Sequence, residues 1–333
     1  VETWLVWNLT LGRLHISDVS NASRTMLFNI HSLEWDDELL NLLDIPKSLM
    51  PDVVDSSEVY GIVHSKVLSG NIPISGMAGD QQASLFGQLC FEKGMVKNTY
   101  GTGCFVMMNT GDQPELSSES LIATIGWKIG NNIQYATEGS IFVGGALVQW
   151  LRDSLKIVQS APEIEVLAKE VDDNGGVVIV PAFAGLGAPH WDQFARGTMF
   201  GITRATTPAH IARATLEAIA LQVKDAIDVM KETSGLEIKS LKVDGGASVN
   251  DLLMHIQSDL LGIEVVRPAI TETTALGAAL LAGLAVGFWK DLNDIKNRWK
   301  VDRTFSPKPL KNHDEIVRYW QKALDRTKNW LDN

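Results

Sequence analysis

Apolar residues recur at helical spacing along the stretch that opens on Thr207-Pro208. They fall at Ile211, Ala214, Ala218 and Ile219, then Val223, Ile227 and Met230, and Gly235 lies just past the end. This period predicts a long amphipathic helix with proline in its first turn and glycine as its stop. A second helix is expected at the carboxyl end, where Ile316, Tyr319, Trp320, Ala323 and Leu324 share one side. Shorter apolar runs between turn signals read as strands. MVKNTY and CFVMMN, joined by Gly101-Thr102-Gly103, predict a hairpin, and VVIVPAF after Gly176 predicts a buried strand. Leu241 to Asp244 reads as a strand that runs into Gly245-Gly246 and a helix from Asn250. Ile72 to Ala78 predicts a strand with Pro73 near its start, where a missing N–H does least harm, and Asp80 to Leu89 a helix.

Other helices are expected from about Gly145 to Lys156 and after Ser160-Ala161-Pro162-Glu163, which joins a capping box to a proline at the first helical position. Residues 4 to 60 read as short helices alternating with polar loops, and TWLVWNLT is already a helix in progress. Strands alternating with helices predict the α/β class. No Pro/Gly/Ser-rich linker divides the chain; a compact boundary is expected near residue 90, separating 1–89 from 90–333.

The longest uncharged run, Thr273 to Trp289, is about 17 residues and rich in glycine and alanine. A membrane span needs roughly 20 predominantly apolar residues, so this run predicts a tightly packed buried helix instead. Composition agrees: 45% hydrophobic and 21% charged residues are the balance of a soluble globular protein. The net charge of −11 excludes a general nucleic-acid binder and disfavours anionic membrane. It leaves small phosphate ligands open, because backbone N–H groups bind those regardless of net charge. The only cysteines, Cys90 and Cys104, sit in apolar sequence and point to a reducing, cytoplasmic setting. With no CxxC, HExxH or His/Cys cluster, no protein-held metal site is expected. His190 in APHWD reads as a loop hydrogen-bonder; Trp4, Trp7 and Trp35 read as core or staple residues.

Chemistry is concentrated at three corners. In ISGMAGDQQASLFGQL, Asp80 stands where a strand hands over to a helix. It reads either as a helix cap or as a base that takes a proton from a substrate hydroxyl, as phosphoryl transfer to an alcohol requires. Gln81 and Gln82 beside it are polyol hydrogen-bonders or simply helix formers. Tyr100-Gly101-Thr102-Gly103 offers N–H groups and a hydroxyl to an anion, or is an ordinary hairpin turn. Asp244-Gly245-Gly246-Ala247-Ser248-Val249-Asn250 lets backbone approach a nucleotide, or is a tight turn capped by Ser248 or Asn250. Neither the Rossmann fingerprint nor the P-loop pattern is present.

These segments together resemble the FGGY carbohydrate kinase family, and within it the kinases that act on glycerol. GMAGDQQASLFGQLCFEKGMVKNTYGTGCFVMMNTG carries the resemblance most specifically; VPAFAGLGAPHWDQFARGTMFGITR, VDGGASVNDLLMHIQSDLLG and TALGAALLAGLAVGFW extend it. The resemblance implies a ribonuclease H-like, actin-type fold in which two α/β domains close over ATP and a polyol. Residues 1–89 would be the carboxyl-terminal part of the first domain and 90–333 the second. Asp80 would match the general base, Gln81 a substrate hydrogen-bonder and Phe105 the aromatic packed on the carbon face of glycerol. Thr102 and Gly145 would lie by the nucleotide phosphates, and Gln149, Gly246 and Asn250 would match further nucleotide contacts. ATP/ADP is the implied nucleotide, with Mg2+ held mainly through it; a homo-oligomer is implied for the full-length protein.

The family's first phosphate-binding loop and several of its polyol contacts have no counterpart here. The chain is therefore expected to be a carboxyl-terminal part, inactive alone. Where bacterial relatives carry a Gly-rich segment ending in Gly-Thr-Arg before IPIS, this chain has Ser69, Gly70 and Asn71. That loses the arginine that would grip fructose 1,6-bisphosphate through two parallel hydrogen bonds. Competing expectations are a related kinase for another polyol or a pentulose, and a non-catalytic actin-like nucleotide-binding module.

Overall fold

A seven-stranded mixed sheet organises the chain from residue 96 onward. The computed structural model describes residues 1–114 and 119–332. The first part of the chain comprises α1 (Glu2–Leu9), β1 (Ile16–Asp18), α2 (Val19–Ala22), β2 (Phe28–Asn29), β3 (Glu34–Trp35), α3 (Asp37–Leu42), β4 (Asp52–Val54), β5 (Ser57–Ile62), β6 (Pro73–Gly76) and α4 (Asp80–Gly87). It continues with β7 (Val96–Tyr100), β8 (Cys104–Gly111), β9 (Ile122–Ile129), β10 (Asn132–Ile141), α5 (Gly145–Asp153), α6 (Glu163–Ala168), β11 (Val178–Val180), β12 (Thr198–Phe200) and α7 (Pro208–Ser234). The last elements are β13 (Ser240–Asp244), α8 (Asp251–Leu261), β14 (Glu264–Pro268), α9 (Thr273–Ala285), α10 (Leu292–Arg298), β15 (Val301–Phe305) and α11 (His313–Thr327).

The sheet order is β15-β14-β13-β7-β8-β10-β9, with β13 parallel to both β7 and β14 and the remaining pairs antiparallel. Because side chains alternate along a strand, each face has its own character. Val96, Tyr100, Val106, Met108, Leu241 and Val243 face the main core, built with Ile219, Val223 and Ile227 of α7 and Leu253 and Met254 of α8. The opposite face carries Met107, Trp127 and Ala136 against Leu85 and Phe86 of α4 and Leu280 and Leu281 of α9. It also carries a strip of polar side chains, and that strip positions the site.

α9 packs on α4 and on the β5–β6 hairpin, so it ties the first part of the chain to the sheet. The approach is so close that a Cβ on Gly277 would lie 1.8 Å from the Ala83 carbonyl oxygen, and one on Gly76 would lie 2.5 Å from the Ala282 nitrogen. Ser57 and Ser75 donate to the Leu281 and Ala282 carbonyls at 2.7 and 3.3 Å.

Several sequence expectations change in the structure. The stretch before residue 60 contains short paired strands, β1 with β4 and β2 with β3, as well as helices. Strands of two or three residues are too short to leave a hydrophobic period. Trp4 and Trp7 are exposed at 68% and 41%, not buried, because α1 covers only Val6. Only one side of α9 is buried, not the whole helix. Pro162 stands at the N-cap of α6, not at its first helical position, and Ser160 does not cap. Glu163 nonetheless completes half the box by accepting from the Ser160 N–H at 3.2 Å. His190 is a loop hydrogen-bonder, with Nε2 3.3 Å from Asp225 Oδ2.

Candidate active site

Asp80 is the first residue of α4, and the cap is Gly79, in extended conformation with no side-chain bond. The cap reading of Asp80 is therefore corrected. Its Oδ1 accepts from the backbone N–H of its own neighbour Gln81 at 2.8 Å, and the residue stays exposed. A carboxylate in the first turn is favoured by the positive end of the helix dipole, so this acid is both oriented and open to a ligand. Gly79 is fixed from below: its N–H donates to Ser20 Oγ at 2.9 Å. Ser20 Oγ donates in turn to the buried Asp18 carboxylate at 2.7 Å. Burial holds Asp18 above the usual carboxylate range despite its bonds to Ser20, Ser56 and Asn21.

Beneath α4 lies the polar strip of the sheet. Lys97 on β7 is fully buried, and its Nζ donates to Gln81 Oε1 and, at 2.8 Å, to Thr99 Oγ1. Burial pulls the Lys97 ammonium below the ordinary lysine range, while the nearby Asp244, Glu138, Cys90 and Asp80 pull the other way. Gln81 Nε2 stands 3.4 Å from Asp80 Oδ2. Asp244, at the end of β13, accepts at Oδ2 from Ser84 Oγ (2.8 Å), Gln88 Nε2 (2.9 Å) and Thr273 Oγ1 (2.5 Å). One buried carboxylate thus joins α4, β13 and the start of α9. Phe105 is half-buried on β8, paired across the ladder with Thr99 and Ser140, and so lies on this same face. Gln82 does not join the group; it is buried and donates to Thr124 Oγ1 at 3.2 Å.

The second and third corners form one cleft of about 390 Å³, whose lining includes Gly101, Gly145, Gln149, Gly246 and Asn250. Its geometry is made by backbone. Gly245 has φ +84°, and a Cβ there would lie 2.6 Å from the Tyr100 carbonyl oxygen. The β7–β8 turn is stitched to the start of α5: Gly145 N–H donates to Gly101 O at 2.9 Å, and Gly144 and Ala146 donate to Thr102 O at 2.8 and 3.0 Å. Thr102 itself is exposed and outside the cleft lining. Asn250 caps α8 by accepting from Leu253 N–H at 2.9 Å, while Ser248 instead donates to the Gly245 carbonyl at 2.7 Å. An unforeseen 3-10 turn, Gly246–Val249, leads into that cap.

Strand β7 links the corners, with Lys97 and Thr99 under α4 and Tyr100 against Gly245. Both lie at the carboxyl ends of the parallel strands β7 and β13, where open α/β sheets bind ligands. A larger cleft, about 690 Å³ beside Arg213, Glu217 and Tyr319, holds none of these residues. Among the described residues no cluster of His, Cys, Asp or Glu could hold a metal ion. Burial pushes the Cys90 and Cys104 thiols up to about 11 and about 12, which keeps them protonated and poor nucleophiles. Sequence reading missed Lys97 and the tie made by Asp244. A lysine inside the strand run MVKNTY was the available signal, since an ordinary strand rarely buries one.

Comparison with known proteins gives a consistent pattern. A family model described as the FGGY family of carbohydrate kinases, N-terminal domain, matches residues 1–87, and the corresponding C-terminal domain model matches 96–286. A glycerol kinase of Paraburkholderia phytofirmans is 59% identical over 333 residues, covering 100% of this chain and 67% of that protein. A glycerol kinase of Burkholderia ambifaria is 58% identical over 334 aligned positions with the same coverage. The chain thus spans about two thirds of the length of these relatives. Among solved structures, Plasmodium falciparum glycerol kinase with ADP superposes with a TM-score of 0.91 at 38% identity, covering 98% of this chain and 66% of that one. A ligand-bound xylulose kinase from Lactobacillus acidophilus superposes at 0.87 with 21% identity, covering 98% and 66%, and speaks to the fold alone.

Proposed function

This chain belongs to the FGGY family of carbohydrate kinases, and on that premise we propose that it carries the base and the nucleotide cleft of an enzyme phosphorylating glycerol with ATP. The observation that best supports the reading is the placement of Asp80: an exposed carboxylate at a helix start, braced by Gln81, over the carboxyl ends of β7 and β13, whose opposite face opens into a glycine-built cleft. In this reading the terminal glycerol oxygen attacks the γ-phosphorus of ATP. A new O–P bond forms, the bond to the β–γ bridging oxygen breaks, and ADP leaves. Asp80 accepts the hydroxyl proton as the product, sn-glycerol 3-phosphate, forms.

Gln81 hydrogen-bonds the polyol and Phe105 covers its carbon face. Thr102, Gly145, Gln149, Gly246 and Asn250 hold the nucleotide. Mg2+ would enter with the nucleotide phosphates and neutralise charge on the transferring group. The domain division at residue 90, a cytoplasmic location and a homo-oligomeric state of the full-length protein belong to the same reading.

A coupled assay of ADP release tests it, run on the whole protein that includes this chain with glycerol, other polyols and pentuloses as acceptors. Preference for glycerol supports the reading. A pentulose preferred over glycerol replaces it with the sister activity, and nucleotide binding without turnover replaces it with a binding module. The 333-residue chain by itself is expected to show negligible turnover in the same assay. The exposed loop at Ser69, Gly70 and Asn71 presents no arginine to a sugar bisphosphate. Activity is accordingly expected to persist in low-millimolar fructose 1,6-bisphosphate, and strong inhibition would overturn that part.

A further inference from the structure

Lys97 is a buried cation that the proposed reaction does not itself use. It reaches upward from β7 to the amide of Gln81 and sideways to Thr99, and among the described residues no carboxylate hydrogen-bonds it. The groups that face it are Asp244 from β13, Glu138 from β10, Cys90 and Asp80. Asp244 is engaged by Ser84, Gln88 and Thr273, and Glu138 Oε1 by Arg24 (3.0 Å) and Ser140 (2.5 Å). Asp244 and one oxygen of Glu138 are thus held by other donors, Glu138 Oε2 has no hydrogen bond among the described residues, and the ammonium spends a hydrogen bond on a neutral amide.

We propose that Lys97 is a positioning residue that locks the Gln81 side chain in one orientation, so that its NH2 group faces Asp80 and the substrate. The reason lies in donor and acceptor chemistry. A glutamine amide has an oxygen end and an NH2 end of nearly equal shape, and nothing intrinsic chooses between the two flips. An ammonium only donates, so only the oxygen of Gln81 can face Lys97. An ionised carboxylate only accepts, so only the NH2 end can face Asp80. Both neighbours select the same flip. The NH2 group has two hydrogens; one is directed to Asp80 Oδ2, 3.4 Å away, and the other is left for a polyol oxygen.

The inference rests on the glycerol kinase reading, and the test separates the two. Wild-type whole protein that does not phosphorylate glycerol removes the reading itself. With wild-type turnover in hand, Lys97→Met is compared with Gln81→Leu and with the double variant, by glycerol KM, kcat and ADP affinity. The expectation is a glycerol KM raised at least tenfold in K97M, with ADP affinity within twofold of wild type. In the Q81L background, adding K97M is expected to change kcat/KM by less than twofold, because Lys97 acts through the missing amide. A K97M protein with unchanged glycerol KM, or losses that simply multiply in the double variant, overturns the proposal. Should K97M not fold, Lys97→Gln decides, since an amide can donate or accept and no longer selects a flip. A several-fold higher glycerol KM in folded K97Q supports the proposal, and an unchanged one overturns it.

Discussion

The two faces of the sheet at strand β7 solve different problems with different materials. On the α4 face, position is set by side chains: Asp80, Gln81, Lys97, Thr99 and Asp244 form chains of hydrogen bonds over a buried polar layer. On the other face, the cleft is shaped by backbone, with Gly101, Gly145, Gly245 and Gly246 placed where a side chain would be in the way or add nothing. The contrast follows from what each face is proposed to hold. A proton must be removed from one chosen hydroxyl, which demands a titratable atom at one place. A polyphosphate presents many equivalent oxygens, which backbone N–H groups satisfy without a specific side chain.

This comparison can be broken or sharpened by substitution. The largest effect is expected from Asp80→Asn, which keeps shape and removes the base. General bases contribute about 10²–10⁴-fold, so kcat for glycerol phosphorylation should fall about a thousandfold by that measure, with ADP affinity held within twofold in calorimetry. A comparable loss of ADP affinity would show that the two faces are not separable. Next is Gly245→Ala. With φ at +84° and a carbonyl oxygen 2.6 Å from the new Cβ, the turn must shift. The expected results are at least tenfold weaker ADP binding and a stability loss of about 1–3 kcal/mol by denaturant titration. Glycerol protection of the folded state, read by thermal shift, should change little. Smallest is Asn250→Ala, which removes the N-cap side chain of α8 at the cleft. Stability should drop by about 1 kcal/mol, with ADP binding weakened less than in G245A. A reversal of that order would mean that side chains, not backbone, govern this face too.

Much of the site was legible because its ingredients are local. Asp80 beside Gln81 and the Gly-Thr-Gly turn each occupy a few consecutive residues, as does the Asp-Gly-Gly corner, and each sits at an element boundary that glycine marks in the sequence. The strand–helix alternation fixed the α/β class for the same reason, since hydrophobic period is a local property. Even so, Asp80 was misplaced by one position relative to its cap. Helix starts are set by which N–H groups remain unpaired, and Gly79 with Ser20 below it decides that from 59 residues away.

What the sequence determined by itself is a list of capable residues and the class of fold able to carry them. Only the tertiary structure decided which of them share a corner, because sheet register is a long-range choice. Pairing β13 with β7 sets Asp244 beside Thr99 and Gly245 against Tyr100, across some 145 residues of chain. The roles of Lys97 and of the buried Asp244 are invisible before that pairing is made. A charged side chain inside a strand is costly by itself, and it makes sense only once its partners arrive from α4, β10 and α9.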